Sequence, residues 1–355
     1  MGLGAYISMN GLPVPELSDS DAVEYIEVHE RLGETTWYNI RYSIDIADGD
    51  LPQLKEPLIG PGSKLAVIVP LESSVECLVQ GPVFSQQIYL KHGGEGSWVD
   101  VKGADTSISM DREFKSQVWT NVSDGEAVMA VMASYALIPD VTTTAARHLD
   151  LKHSLIQRST DLHFVRKLAR RNGCHFWITA DALGIETAHF QRPNLLGLPA
   201  VDLVINRDNF NIDELNIHWD VERPTTATAT QLDLSTKSPL TGAVPVSPQQ
   251  SLGAMNLQAI TQDVRSTHVS SPVDDVGDLR ARSEGAVLEA DWFIRAACQT
   301  SLHSLGKVVR AHTLAQVIGA GSRHSGNYLV AGVRHRIDAT AHTMEVELIR
   351  NGWEV

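Results

Sequence analysis

The chain has 355 residues and a formal net charge of −14, from 43 Asp and Glu against 29 Lys and Arg. This length has room for two or three domains with more than one hydrophobic core. The acidic balance argues against a protein whose main work is gripping nucleic acid, because that affinity comes largely from neutralising phosphates with Lys and Arg. Hydrophobic residues make up 43% and charged residues 20%, a globular composition, and no apolar run approaches the roughly 20 residues needed to span a bilayer. The start, MGLGAYISMNG, lacks the basic and apolar regions of a secretory signal, so the chain is expected to stay in the compartment where it is made. Cys77, Cys174 and Cys298 lie far apart in apolar stretches. They read as buried free thiols in a reducing compartment, not as a disulfide or zinc framework.

From Tyr6 to Asp105 the pattern is strand-rich. Thr36, Tyr38, Ile40, Tyr42, Ile44 and Ile46 alternate with Trp37, Asn39, Arg41, Ser43 and Asp45, which predicts one apolar and one mixed face. Leu65 to Val69 is a continuous apolar run, and Glu76–Val79 and Val83–Leu90 flank Gly81-Pro82. Crossover helices are missing, so an antiparallel sheet folded on itself is expected: a first tube-like β-barrel over residues 1–105.

A helical connector is expected over 106–150. Ser123 and Glu126 form a capping box, and Ala127, Val128, Val131, Met132, Tyr135 and Ala136 make an apolar stripe that ends before Pro139. Asn121-Val122-Ser123 also fits a glycosylation sequon, but without a signal peptide the capping role is preferred.

The stretch from His153 to Thr179, HSLIQRSTDLHFVRKLARRNGCHFWIT, organises the next unit, a helix–β-hairpin module over 151–200. Thr160 serves as N-cap, Asp161 suits the positive helix end, and Leu162, Val165, Leu168 and Ala169 recur at helical spacing. Asn172-Gly173 stops the helix. Phe176 and Trp177 then open a strand, which the Asp181–Gly184 turn joins to a second over Ile185–Phe190. Residues 142–171 are locally basic, through Arg147, Lys152, Arg158, Arg166, Lys167, Arg170 and Arg171. They read either as a solvated helix face or as a docking surface for an acidic partner.

Residues 201–355 are expected to form a second tube-like β-barrel. Pro224 to about Gly277 is poor in aromatics and rich in Thr, Ser, Pro, Gln and Val, which reads as a loose insertion. Asp278 to about His303 is the longest helix candidate, with Leu279, Ala286, Val287, Ala290, Phe293, Ile294 and Ala297 on one face. Strands are expected over Lys307–His312, Ala315–Ile318, Tyr328–Ile337 and Thr343–Arg350. The fold class is thus mainly β with α+β modules: two tube-like antiparallel β-barrels joined by helical and helix–hairpin segments.

Three segments carry a resemblance. QRSTDLHFVRKLARRNGCHFWI, VKGADTSISMDREFKSQVWTNVSDGEAV and SGNYLVAGVRHRIDATAHTMEVELIRNG are similar, in the same order, to segments of phage late control D proteins and of the hub part of VgrG spike proteins. Gln157, Arg158, Asp161, Leu162, Gly173, Phe176, Trp177 and Tyr328 carry the motifs, with roles in the fold and not in chemistry. The resemblance implies a baseplate hub of a contractile phage tail or injection system. In it a homotrimer forms a pseudo-six-fold ring that joins the tail-tube protein to a trimeric spike and touches other baseplate proteins. The chain stops at Val355 after the second barrel, so the spike is expected to be a separate protein. Such a protein is made in the bacterial cytoplasm and incorporated into the particle, with no stable nucleic-acid binding and no integral membrane segment. A negatively charged lumen would repel DNA or acidic cargo.

No catalytic or metal-binding motif stands out in the sequence, and the reading is that the chain is not an enzyme. No metal site is expected among the fourteen histidines. His29-Glu30 lacks the second histidine of an HExxH helix, and His335 and His342 are placed either side of a hairpin turn. Gly60-Pro61-Gly62-Ser63-Lys64 lacks phosphate-loop spacing and precedes a strand, so it reads as a turn. No cofactor is implied. The competing reading is a tail-associated cell-wall hydrolase, which needs paired carboxylates in a cleft.

Overall fold

The computed structural model describes residues 4–18, 22–44, 57–144, 147–149, 154–233, 236–269 and 276–354. Asp45, Ile46, Asp150, Lys152 and His153 of the segments read above lie outside them. Strands take up 47% of the described residues and helices 19%, so pairing between strands carries the fold, which is mostly antiparallel. A thirteen-stranded sheet runs through both halves. Its path starts at Leu215–Trp219 and passes Ile294–Ser301, His342–Arg350, Gly326–Asp338, Val23–Arg31, Trp37–Ile44 and Ser97–Ala104, then Val75–Tyr89, Lys64–Pro70, Tyr6–Met9 and Leu12–Pro13.

Alternation explains why these strands close over a core. Tyr38, Ile40, Tyr42 and Ile44 are all buried and pack with Ile26, Val28, Val67, Val99 and Val101 in the first core. A second half-core gathers Leu203, Phe293, Tyr328, Val333, Val346 and Leu348. The halves are continuous through backbone pairing: Val23–Arg31 lies antiparallel to Gly326–Asp338, from Tyr25 opposite Asp338 to Arg31 opposite Gly332. Ile26 faces Ile337 across this joint, so apolar packing runs from the first half into the second.

Between the halves sits a module with its own core. Helix α1 (Asp124–Ser134) carries the Ser123–Glu126 capping box. Helix α2 (Asp161–Arg171) is capped by Thr160, whose hydroxyl accepts from the His163 amide. Their apolar faces pack with Phe176, Ile178, Ala188 and Phe190 of a small sheet formed by Ile138–Val141, Glu186–Gln191 and His175–Ala180.

Three expectations are corrected. The stretch 224–277 is not a loose insertion. Thr226–Asp233, Ser238–Val244 and Ser266–Val269 form a three-stranded sheet, with a short helix α3 (Leu257–Thr261) in the connection before its last strand. Helix α4 (Val276–Ala290) lies over this sheet, with Ala227, Val244 and Val287 in one contact and Ala229 and Leu279 in another. A Cβ on Gly242 would come within 2.6 Å of the Arg280 amide nitrogen. The lack of aromatics is therefore a condition of close helix-on-sheet packing, not a sign that no core exists.

The helix expected over 278–303 ends at Ala290, and Ile294–Ser301 is a strand. Ile294, Ala296, Cys298 and Thr300 are buried alternately, and strands on both sides supply backbone partners. A short apolar run satisfies both periods, and only the sheet decides between them. Lys307–His312 is likewise not a strand. It is an irregular loop after the one-turn helix α5 (Leu302–Leu305), and it leads into the site described next.

Candidate functional site at the joint between the two halves

The loop after α5 reaches from the second half into the first. The Arg310 guanidinium donates through Nε to Glu30 Oε1 at 2.7 Å, through Nη1 to the Cys77 carbonyl at 2.8 Å and through Nη2 to the Leu78 carbonyl at 3.0 Å. The Ala311 amide donates to the other Glu30 oxygen at 3.0 Å. Glu30 is buried, and that burial raises its carboxyl above the ordinary value, with the Arg310 charge offsetting only part. Arg310 is thus a polar pin through the joint, fixed by two carbonyls and a carboxylate.

Beside the pin lie two histidines at paired strands. His335 Nδ1 and His342 Nε2 are 3.1 Å apart, and His335 Nε2 is 3.8 Å from Glu30 Oε1. Burial pushes His342 down to about 4 and, with neighbouring positive charge, holds His335 well below its ordinary value. Both are therefore neutral imidazoles at neutral pH. They do not form a metal centre: among the described residues no three His, Cys, Asp or Glu side chains are grouped to hold an ion.

On the other side of the pin, Trp177 stacks on His312 at 3.7 Å and on His189 at 4.6 Å. His312 itself adopts a left-handed backbone, φ 66°, a costly conformation for a non-glycine residue. These rings, with Glu30, Glu76 and Arg310, line a cavity of about 370 Å³. In the same small sheet Thr179 Oγ1 and His189 Nε2 are 2.8 Å apart, and His189 Nδ1 is 2.8 Å from Asp140 Oδ2. Hydroxyl, imidazole and carboxylate stand in the order of a nucleophile, its base and its orienting acid. Strand register alone accounts for the row, since Asp140 pairs directly with His189 and Thr187, the neighbour strand's residue opposite Thr179, lies two positions before it.

The motif residues fall into three places. Gln157 is buried, accepts from Trp119 Nε1 at 3.1 Å and donates to Asp161 at 2.7 Å. Burial alone would raise the Asp161 carboxyl, but hydrogen bonds from Lys115, Gln157 and Tyr135 outweigh it and hold it below the ordinary range. Arg158 is exposed and borders a groove with His163 and Lys167. Leu162 and Phe176 lie in the module core, while Trp177 points to the joint. Gly173 has φ 64°, and a Cβ there would meet Leu288 Cδ1 at 2.2 Å. Tyr328 is fully buried in the second half-core, its hydroxyl donating to the His324 carbonyl at 2.8 Å. Glu30, Arg310, His312 and His342 escaped the sequence reading as a group. Only strand pairing and one loop bring them together.

The outward face of the joint is polar and charge-paired. Arg31 meets Glu347 at 2.7 Å, Arg334 meets Glu27 at 2.7 Å, and Arg41 meets Asp100 at 2.7 Å. No helix among the described residues is long and apolar enough to cross a membrane.

A family model described as the Alg8 N-terminal domain matches residues 5–339. No curated protein matches the sequence. Solved structures do match its fold. A tail protein from Neisseria meningitidis MC58 superposes with a TM-score of 0.67 at 13% identity, covering 99% of this chain and 98% of that one. The 43 kDa tail protein of prophage MuSo2 from Shewanella oneidensis gives 0.66 at 14% identity, over 98% of both chains. The E. coli c3393 protein, a type VI secretion component with structural similarity to bacteriophage T4 tail proteins gp27 and gp5, gives 0.58 at 14%, over 93% of this chain and 73% of that one. The matching family is not the late control D family that the three segments resemble, whereas the tail-protein fold is common to all three structures.

Proposed function

The chain belongs to the Alg8 N-terminal domain family, and from its fold, which is that of phage tail proteins, we propose that it is a structural component of a phage tail or injection particle, and within it the hub. In this reading residues 1–105 and 201–355 are two tube-like halves, and three copies make a pseudo-six-fold ring between the tail tube and a separate trimeric spike. Other baseplate proteins would surround it, and the chain would be made in the bacterial cytoplasm before incorporation.

The observation that supports the ring is the pair of open edges on the large sheet. Beyond Val83 the strand Val75–Tyr89 pairs only with Ser97–Ala104 among the described residues, and it exposes Phe84, Ile88 and Tyr89. At the far end Leu215–Trp219 pairs, among the described residues, only with Ile294–Ser301 and leaves Trp219 half-exposed. An unpaired, apolar edge is a template for another strand, and two such edges on one continuous sheet allow head-to-tail closure. The test is native mass by light scattering followed by negative-stain imaging. A trimeric ring, alone or with co-expressed tube and spike proteins, supports the hub; a chain that stays monomeric in both settings overturns it.

The hydrolase alternative has one observation in its favour, the Thr179–His189–Asp140 row. It requires peptidoglycan cleavage by the purified chain that disappears in His189→Ala.

A further inference from the structure

The fold sorts the described basic residues of the stretch 142–171. Arg147 pairs with Glu126, Arg171 pairs with the buried Asp124, and Arg166 donates to Thr35 Oγ1 at 2.8 Å. Arg170 lines a cavity between α2 and α4. Arg158 and Lys167 remain. Both are exposed, make no ion pair among the described residues, and border one groove with Ile156, Ser159 and His163 over the buried Phe164. No carboxylate lines this groove among the described residues. Asp111 comes within 3.5 Å of His163, but it also accepts from the Thr160 hydroxyl, which commits it to the start of α2. In a chain of net charge −14 the groove is a local reversal of sign.

Beside the groove, Lys115–Trp119 and Leu155–Ser159 form a two-stranded antiparallel ribbon that joins no other sheet among the described residues. Its inner face packs on the module: Leu155 lies in the module core, and Trp119 stacks on Phe164 with ring centres 5.9 Å apart. Its outer face carries Val118 directly opposite Ile156, 59% and 47% exposed, with Phe114 just before the first strand 69% exposed. Ile156 and Arg158 of this outer face line the groove together with His163 and Lys167 of α2, which packs on the inner side, so the groove follows the free edge of Leu155–Ser159. In an antiparallel pair every second residue turns its N–H and C=O away from the partner strand. No backbone group outside the ribbon bonds to the backbone of Leu155–Arg158 among the described residues, which leaves this edge able to take another strand.

Three features describe one occupant. A free edge takes an extended backbone, an apolar face takes apolar side chains, and two unpaired cations take carboxylates. An inorganic anion uses only the last of these, and two cations in an acidic chain are too few to hold a nucleic acid. We propose that the groove is the docking site for a β-strand of another protein that carries carboxylates alongside apolar residues. The strand pairs with the edge of Leu155–Ser159, its carboxylates meet Arg158 and Lys167, and its apolar side chains cover Ile156 and Val118. The site goes beyond the hub reading and lies in a single copy of the chain, so it is tested on the monomer, whatever the ring does.

The probe is a fluorescein-labelled peptide of repeated Val-Glu-Glu, which puts both residue types on each face of a strand, read by anisotropy. It is compared with two counterparts. One has glutamine for glutamate; the other is N-methylated at every backbone amide, which keeps the charge and removes the N–H donors of the strand. Wild-type protein binds the first peptide, and each counterpart binds about tenfold more weakly. Arg158→Gln weakens binding of the first peptide about tenfold, the worth of one charge-assisted hydrogen bond, and Lys167→Gln and Val118→Gln weaken it in the same sense. All three residues are exposed, so the variants keep their fold. Arg170→Gln, outside the groove, leaves binding unchanged. Equal binding of either counterpart, unchanged affinity in Arg158→Gln, an equal loss in Arg170→Gln, or no binding by the wild type up to about 1 mM each overturns the proposal. Light scattering of the same samples separates the other occupant: a wild-type oligomer that Arg158→Gln dissociates means that the groove holds a second copy of this chain, and that too overturns it.

Discussion

Arg310 and Glu30, separated by 280 residues in sequence, are bound at 2.7 Å inside the joint between the two halves. Glu30 is buried, and the Arg310 side chain is about one-fifth exposed. Removing the cation leaves a buried carboxylate without its charge partner. Arg310→Met is therefore expected to cost about 3–5 kcal/mol, and Glu30→Gln in the same chain recovers part of it. Urea melts of the two single variants and the double variant check this; additive losses would refute the coupling.

The neighbouring histidine gives a pH dependence with a definite sign. Burial pushes His342 down to about 4, below the roughly 6.5 of an unfolded chain. As pH falls through 6.5 the unfolded state takes a proton that the folded state refuses, so folding loses stability between about pH 6.5 and 4. The loss attributable to His342 is on the order of 3 kcal/mol by the lower limit. Asp105 and Asp291, both pushed up to about 6 by burial, act in the opposite sense over the same range. Comparing His342→Gln with wild type isolates the histidine: the wild type's advantage at neutral pH shrinks as pH falls. A constant difference in melting temperature would count against the buried neutral ring.

Gly173 is held by two separate constraints, its left-handed φ and the Leu288 side chain. Gly173→Val is expected to lose about 1–2 kcal/mol from the backbone and a further 1–3, roughly, from overpacking. Adding Leu288→Ala removes the steric clash but also buried methyl groups. The double variant should therefore fall less than the sum of the two single losses. Full additivity in thermal melts would mean that the two sites do not touch.

In the proposed ring, the open sheet edge makes assembly separable from folding. Phe84→Asp with Ile88→Asp changes exposed residues, so the monomer's stability should shift by no more than about 0.5 kcal/mol per site. Ring formation in negative stain should be lost. A variant that still forms rings would remove this edge from the interface.

The cysteines provide a probe of the cores. Burial pushes Cys77 and Cys298 up to about 12 and Cys174 to about 11, so the reactive thiolate is scarce. Iodoacetamide at about pH 8 should label none of the three in the folded chain and all three in urea, as read by intact mass.

The sequence by itself determined whatever depends on neighbours along the chain. The alternation of Tyr38, Ile40, Tyr42 and Ile44, the Ser123–Glu126 box, the Thr160 cap and the Gly173 stop are local signals, because hydrogen bonds and side-chain facing at this range follow from backbone period. The tertiary structure alone decided the rest. Ile294–Ser301 satisfies a helical and a strand period, and it became a strand because partners on both sides hold its backbone groups. Residues 226–269 have few large side chains, and their core exists only because α4 lies close over alanine and glycine. Arg310 and Glu30 leave no trace of each other in the sequence. Their pairing depends on strand Val23–Arg31 meeting strand Gly326–Asp338, an edge contact between halves that no local period encodes.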